Sequence, residues 1–182
     1  MRIVAGKLKG LKLKEFEAEN IRPTIDRVRE AVFNKIQFRV KNAQVLDLFT
    51  GTGAVSLEFL SRGASVVSVD NNPNSIKLIK ENFAKAKTPL NLLECDYNAA
   101  LKKLKNQKFD IVFLDPPFAS NYAEKAVENI MKFDMLNSDG LMIWEHSIGS
   151  QMKLPPELNI VDEKKYGTIM VTYLERKNDT SC

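Results

Sequence analysis

The sequence predicts an α/β domain in which a mostly parallel sheet is covered by helices on both faces. Five short apolar runs, each about the length of a buried strand, alternate with segments of helical pattern. A glycine loop joins the first run to the first of these helices. At 182 residues, with 44% hydrophobic and 27% charged side chains, the chain has the length and composition of one globular domain. A disordered chain is excluded.

The predicted elements follow a basic N-terminal piece in regular order. Residues 1–41 are expected to form a hairpin around Gly6 and Gly10 and then a helix over 24–36. In the main domain, residues 42–176, the predicted strands are 44–49, 65–69, 90–95, 109–114 and 140–145, and the helices are 54–62, 74–87, 97–105 and 122–133. Two further strands, near 158–161 and 168–174, lack a helix between them and predict an antiparallel hairpin at the sheet edge. We therefore expect seven strands with the last one antiparallel, and a polar tail at 177–182.

Positive charge is concentrated at the N-terminal end. Residues 1–41 hold 11 lysines and arginines against 5 aspartates and glutamates, whereas the remaining 141 residues hold 16 against 18. Such a local excess suits a phosphate backbone, because lysine and arginine displace its condensed counterions. The alternative is a solvated surface that only keeps the protein soluble. The candidate nucleic acid contacts are Arg2, Lys7, Lys9, Lys12, Arg22 and Arg27.

Membrane insertion, secretion and a structural metal site are not expected. No run approaches 18 consecutive apolar residues, and the N-terminus becomes polar too early for a signal peptide. Cys95, Cys182 and His146 are too few for a four-ligand zinc site and do not suggest a disulfide framework. The prediction is a cytoplasmic protein without a metal.

The first strand ends in the loop Asp47-Leu-Phe-Thr-Gly-Thr-Gly, which leads directly into a helix. Gly51 and Gly53 allow a tight turn and the close approach of a ligand. A dinucleotide fingerprint would have a third glycine where Ser56 stands, and Asp47 would repel a pyrophosphate, which disfavours a nucleotide-dependent oxidoreductase. An acid here favours a cationic ligand, and S-adenosylmethionine offers both an ammonium and a sulfonium.

Single acidic residues follow the next two strands. Asp70, 17 residues after Gly53, can accept hydrogen bonds from ribose hydroxyls, and Asp96 can accept the amino hydrogens of an adenine. Each acid taken alone could equally be a helix cap or a turn residue. Three acids at consecutive strand ends around a glycine loop favour a nucleoside site.

The fourth strand is followed by Asp115-Pro-Pro-Phe118. The two prolines stiffen the loop and remove two backbone donors, so that its outward groups are carbonyl oxygens, such as that of Pro116, and the Asp115 carboxylate. Such acceptors suit a planar amino group, whose delocalised nitrogen needs positioning and local electrostatics to become a nucleophile. Phe118 could stack on a base, which must then be flipped or looped out of its helix. The alternative is a rigid turn with a core phenylalanine.

These motifs together resemble the amino-methylating branch of the class I S-adenosylmethionine-dependent methyltransferases. Two N-terminal runs, Arg2-Ile-Val-Ala-Gly-Lys and Arg22-Pro-Thr-Ile-Asp-Arg-Val-Arg-Glu-Ala-Val-Phe-Asn, further resemble the RsmD family of small-subunit ribosomal RNA guanine-N2 methyltransferases. The similarity covers nearly the whole chain, including Lys165-Tyr-Gly-Thr. The sequence departs from the family pattern at Asp70, where glutamate is more common, and at Phe118, where tyrosine is common. In the glycine loop, Thr50 and Thr52 replace the usual small alanine and serine.

The resemblance implies a Rossmann-like sheet and roles for particular residues. Asp115, Pro116 and Phe118 would hold the target guanine. The S-adenosylmethionine set would be Asp47, Phe49, Gly51 and Gly53 at the methionine end, Asp70 and Asn71 at the ribose, Asp96 at the adenine, and Thr24 and Arg29 near the pocket. The implied partner is 16S ribosomal RNA in the small subunit or its assembly intermediate, bound by a monomer. The alternatives are an amino-group methyltransferase acting on DNA adenine N6 or a protein glutamine, and a non-catalytic RNA-binding assembly factor.

Overall fold

The computed structural model describes residues 1–16, 22–117 and 121–177, with the backbone alone for 22–25. After the N-terminal segment come α1 (Arg22–Lys35) and α2 (Gln37–Val40). The main domain then contains β1 (Gln44–Asp47), α3 (Ala54–Ser61), β2 (Ser65–Asp70), α4 (Pro73–Ala86), β3 (Leu92–Glu94), α5 (Tyr97–Leu104), β4 (Phe109–Leu114), α6 (Tyr122–Lys132), β5 (Leu136–Ser147), β6 (Leu158–Tyr166) and β7 (Ile169–Arg176).

The seven strands form one sheet in the order β3-β2-β1-β4-β5-β7-β6. The pairs from β3 to β5 are parallel, whereas β7 is antiparallel to both β5 and β6. The predicted antiparallel last strand is therefore confirmed, and β7 lies inside the sheet while β6 forms its edge. The order reverses at β1, so the carboxyl ends of β1 and β4 flank the crevice where open α/β sheets bind ligands.

Both faces of the sheet are covered because its central strands are apolar on both sides. On one face, α5 and α6 pack Leu101 and Ile130 against Val112 and Met142. On the other face, α1 and α3 pack Phe33 and Phe59 against further residues of β4, β5 and β7. Helix α1 thus covers the strands that lead to the Asp-Pro-Pro loop.

The N-terminal segment is held to α3 by a buried glutamate. Arg2 and Lys12 form an antiparallel bridge, as expected for a hairpin. Glu58 accepts hydrogen bonds from the backbone nitrogens of Val4 at 2.8 Å and Ala5 at 3.1 Å, and pairs with Arg62. These charge-assisted bonds fix the basic segment against the main domain.

Asn82 on α4 connects the N-terminal segment to the glycine loop. Its side-chain oxygen accepts from the Lys14 nitrogen at 2.8 Å, and its amide group donates to the oxygens of Lys14 at 3.1 Å and Thr52 at 2.9 Å. One buried side chain therefore fixes the position of both segments. No α-helix in the described ranges is long and apolar enough to cross a membrane.

Candidate functional site

A cavity of about 390 Å³ opens at the carboxyl ends of the central parallel strands, a size suited to a small-molecule ligand. Its walls combine strand-end acids with apolar and aromatic side chains. Seven residues that the sequence analysis assigned to the site line this nucleoside cavity, as we call it: Phe49, Gly51, Asp70, Asn71, Asp96, Asp115 and Pro116.

Two features of the glycine loop, its tight turn and its open face, depend on positive φ angles. Gly51 has φ +59°, and a Cβ placed there would meet nothing within 4 Å, so the backbone is open to a ligand. Gly53 has φ +81° and faces the core, where a Cβ would lie 3.3 Å from the Phe83 ring. Gly51 thus lines the cavity, whereas Gly53 lets the loop pack on α4.

Asp70 shapes the glycine loop as well as lining the cavity. Its carboxylate accepts from the Gly51 nitrogen at 2.8 Å and from the Asn72 nitrogen at 2.9 Å. Asp96 caps α5 by accepting from the Asn98 nitrogen at 2.8 Å. The cap and turn roles considered from the sequence are therefore present, and both acids still face the same cavity.

Three aromatic rings form a cluster beside the cavity. The rings of Phe49 and Tyr122 are stacked and nearly parallel, with centroids 6.5 Å apart. The centroid of the Tyr97 ring lies 5.2 Å from that of Tyr122 and 5.5 Å from that of Phe49. Sequence analysis did not identify Tyr97 or Tyr122, whose positions at the starts of α5 and α6 gave the only signal. All three rings line the cavity and provide a surface for a planar group.

A second cavity of about 220 Å³ lies between α1, the glycine loop and the ends of β4 and β5. It shares Phe49, Gly51 and Asp115 with the nucleoside cavity, so the two adjoin. Two charged side chains line it besides that of Asp115, namely those of Arg29 and Glu145. We call it the charged cavity.

Arg29 is 5% exposed and only partly paired. Its Nη2 donates to the Arg2 carbonyl oxygen at 2.7 Å and lies 3.2 Å from the Asp26 carboxylate. Its Nε and Nη1 are buried without a hydrogen-bond partner in the described part of the chain. Buried donors normally have partners, so two open donors of one guanidinium point to a missing acceptor.

Asp115 and Glu145 are neighbouring carboxylates, the first directly after β4 and the second near the end of β5. The register pairs Leu114 with Trp144, which places the following two residues side by side. Asp115 is accessible from the cavity, but surrounding protein replaces much of its hydration. Burial and the charge of Glu145 raise the pKa of Asp115 well above its usual value, and burial also raises the pKa of Glu145. Sequence analysis did not identify Glu145, although it ends the predicted strand 140–145.

Asp47 lies beneath the glycine loop and lines neither cavity. It is 1% exposed and accepts from the Ser56 hydroxyl at 2.5 Å, and Ser56 is 2.8 Å from the Ser68 hydroxyl. Burial raises the pKa of the Asp47 carboxyl to about 7, with smaller contributions from the charges of Asp115 and Asp70. Its contact with a ligand remains a proposal, and its observed bonds fix α3 to β1 and β2.

The other candidate residues lie as follows. Phe118 is outside the described residues, and for Thr24 and Arg22 the structure describes the backbone in α1 alone. The side chains of the five further RNA candidates are exposed: Arg2, Lys7, Lys9, Lys12 and Arg27. His146 lines neither cavity. Its ring stacks on Trp144, and its Nε2 forms a hydrogen bond with the Thr172 hydroxyl at 2.8 Å. Among described residues, no group of three or more His, Cys, Asp or Glu side chains could hold a metal ion.

The strand order with an antiparallel β7, together with a glycine loop and acidic strand ends around one recess, defines the class I methyltransferase fold. A solved structure described as a putative methyltransferase, yhhF, from Escherichia coli has a TM-score of 0.85 and 28% sequence identity to this chain. The match covers 97% of this chain and 98% of the other.

The chain belongs to the family described as Conserved hypothetical protein 95, whose model matches residues 1–175. Similar curated proteins include ribosomal RNA small subunit methyltransferase D of Haemophilus influenzae, 33% identical over 93% of this chain and 90% of the relative. The protein of that name from Escherichia coli K12 is 32% identical over 97% and 90%. The resemblance to the RsmD family is thereby confirmed.

Proposed function

We propose that this protein transfers a methyl group from S-adenosylmethionine to the exocyclic N2 amine of a guanine in 16S ribosomal RNA. The observation that carries the proposal is that Asp115 lines both cavities and so stands where they meet. The names of the relatives support ribosomal RNA as the substrate. The choice of guanine N2 rests on the family resemblance and on the acceptor chemistry of the loop.

The residues present fit S-adenosylmethionine, which supplies an electrophilic methyl group when bound. Asp70 and Asp96 offer carboxylate oxygens to ribose hydroxyls and to an adenine amine, and the aromatic cluster offers a planar surface. Gly51 leaves the space that a Cβ would fill. The unpartnered donors of Arg29 further indicate a ligand that brings an acceptor to the charged cavity.

Asp115 and the Pro116 carbonyl would hold the target amine. Ionised Asp115 accepts one amine hydrogen and the carbonyl oxygen accepts the other, which aims the nitrogen lone pair at the methyl group. Bound S-adenosylmethionine would supply the methyl group and retain the sulfur as S-adenosylhomocysteine, and the methylated nitrogen would carry a positive charge and an acidic N–H. The proton can then pass to Asp115 or to water, so the site needs no stronger base.

The basic N-terminal hairpin would dock on RNA phosphates next to the site. Its exposed cations Arg2, Lys7, Lys9 and Lys12 make no ion pair with any described residue. The Arg2 carbonyl oxygen accepts a hydrogen bond from Arg29, which lines the charged cavity, so the hairpin lies at the edge of the site. A cytoplasmic monomer acting on the small subunit or its assembly intermediate is the form proposed here.

The acceptor is tested with labelled S-adenosylmethionine and three substrates: small ribosomal subunits from cells lacking the gene, duplex DNA, and a glutamine-containing protein pool. We expect label in 16S RNA alone, recovered as N2-methylguanine after digestion. Label in DNA or protein would assign a different acceptor. RNA binding without transfer to any of the three would favour a non-catalytic assembly factor.

Replacing Lys7 and Lys9 together by glutamate should weaken RNA binding and leave cofactor binding unchanged. Each lost phosphate contact should reduce the slope of log K against log salt by roughly 0.7 to 0.9. The measurement is RNA affinity across a salt series, with S-adenosylhomocysteine affinity measured in parallel. Lys125→Glu on the exposed face of α6 is the matched control. An equal loss in both variants would place the RNA surface elsewhere.

A further inference from the structure

A third cavity, of about 260 Å³, lies over β5, β7 and β6 on the side of the sheet that α6 covers. Its floor is one row of directly paired residues, because the strand register places Trp144 opposite Thr172 and Thr172 opposite Glu163. Met152 and Leu154, from the segment between β5 and β6, form an apolar wall. We call it the flanking cavity, and no described residue that lines it also lines the nucleoside cavity or the charged cavity.

Trp144 brings to this cavity a hydrogen-bond donor that has no acceptor. The residue is 8% exposed, and its Nε1 has no hydrogen-bond partner in the described part of the chain. Its ring stacks on His146 with centroids 3.6 Å apart, which fixes the plane of the indole. A buried indole N–H normally has a partner. The unpaired donor therefore indicates a ligand that carries an acceptor.

Glu163 adds a fixed acceptor to the same row. The Thr172 hydroxyl donates to its Oε1 at 2.9 Å and, having given its only hydrogen, accepts from His146 Nε2 at 2.8 Å. Glu163 is exposed, so its carboxylate can also accept from a ligand. An unpaired nucleobase suits this arrangement, because it is planar and its Watson–Crick edge carries N–H donors beside an acceptor.

The position of the flanking cavity favours a base from the RNA strand that carries the target. Trp144 is paired in register with Leu114, which directly precedes Asp115. Strand β7, in the middle of the cavity floor, is two strands from β4, a distance of roughly 10 Å. Lys165 lies on the same face of β6 as Glu163, is exposed and makes no ion pair with any described residue, so it can contact a phosphate. A protein segment would need neither this cation nor the nearness to the acceptor loop.

We propose that the flanking cavity binds an unpaired nucleobase that flanks the target guanine in the same RNA strand. Glu163 accepts a hydrogen bond from this base, Trp144 Nε1 donates one to it, and Lys165 contacts its phosphate. The inference rests on the proposed function, which supplies the RNA substrate. The second base fixes the register of the strand while the target base reaches Asp115. RNA recognition then includes a base contact besides the phosphate contacts of the N-terminal hairpin.

The single tryptophan of the chain makes a direct test possible, because its indole N–H gives one NMR signal. The probes are a synthetic RNA oligonucleotide centred on the methylated guanine and a series in which one flanking nucleotide at a time is abasic, with S-adenosylhomocysteine saturating throughout. The intact RNA should shift the indole signal. One abasic position should abolish the shift and weaken RNA binding by roughly 3- to 10-fold in Kd, as expected for lost hydrogen bonds.

Glu163→Gln should weaken binding of the intact RNA but cause no further loss with that abasic RNA, since the variant and the abasic site remove the same contact. Lys165→Ala should reduce the slope of log K against log salt by about 0.7. The control is Glu157→Gln, an exposed carboxylate beside the opposite end of β6, which should change neither result. All three variants should bind S-adenosylhomocysteine as the wild type does.

An unchanged indole signal with RNA bound, or a Glu163→Gln variant that keeps its full sensitivity to the abasic position, would overturn the inference. A shift caused by small-subunit proteins and not by RNA would also overturn it and would assign the flanking cavity to a protein partner. Failure of the wild-type protein to methylate or bind RNA would instead overturn the proposed function.

Discussion

Asp115→Asn should lower the rate of methyl transfer to small ribosomal subunits by roughly 100- to 1,000-fold, the range measured when one polar group that stabilises a transition state is removed. The substitution preserves the size of the side chain. It replaces a charged acceptor with an amide that can turn two donor hydrogens towards the target amine, which is itself a donor. Both the orientation of the amine and the stabilisation of its developing positive charge are lost.

Binding of S-adenosylhomocysteine should stay within about threefold of wild type, because this ligand lacks the sulfonium charge that Asp115 would face. The appropriate measurements are single-turnover rates at saturating cofactor and calorimetric affinity for S-adenosylhomocysteine. Glu128→Gln, which changes an exposed carboxylate on α6 to an amide, is the control. Retained turnover in Asp115→Asn would place the chemistry at another group.

The alternation of strands and helices could be predicted because each parallel strand is a continuous apolar run buried on both faces. The run around Val45 and the run around Val112 are examples, since both residues are fully buried. The residues at which strands begin and end are harder to predict from apolar runs. Strand β5 begins at Leu136, four residues before the predicted start, because Asn137 donates to Asp110 at 2.7 Å and keeps a polar stretch paired beyond a register shift.

Helix α2 was not predicted because it has no apolar face to detect. It spans four residues, and Phe38 within it is 92% exposed while Val40 is buried. Its position is fixed by tertiary contacts instead, including the ion pair of Arg39 with Glu175 on β7. A single-turn helix of this kind depends on packing and not on local propensity.

The motifs of the candidate site could be identified from the sequence, whereas the other charged residues that line its cavities could not. Gly51, Asp70 and Asp115 follow strands and could be assigned to one edge of the sheet. Glu145 also follows an apolar run, but its importance depends on the register that places it beside Asp115. The lack of hydrogen-bond partners for Nε and Nη1 of Arg29 depends on the residues packed around α1, which sequence spacing does not predict.

The neighbouring carboxylates of Asp115 and Glu145 predict that the rate of methyl transfer depends on pH. The ionised Asp115 carboxylate is the stronger acceptor for the target amine and stabilises its developing positive charge, and protonation removes that negative charge. Burial together with the charge of Glu145 raises the pKa of Asp115 well above its usual value. A raised pKa means that the proton binds at higher pH, so the active form is lost as pH falls through that raised pKa. Arg29 lines the same cavity as Asp115, and the charge of Asp115 contributes to the raised pKa of Asp47 on β1, which is about 7.

We expect kcat/KM for the cofactor to fall about tenfold per pH unit below the pKa of Asp115, and this acidic limb should lie well above the pH at which an ordinary aspartate titrates. An unperturbed aspartate would give no loss above about pH 5. Glu145→Gln removes the neighbouring negative charge, so the pKa of Asp115 should decrease and the acidic limb should move to lower pH, whatever the absolute rate of the variant. The pH profiles of wild type and Glu145→Gln, measured with the RNA substrate held constant, decide between these results. A wild-type limb near pH 4, or an identical limb in the variant, would mean that the two carboxylates do not share their protonation.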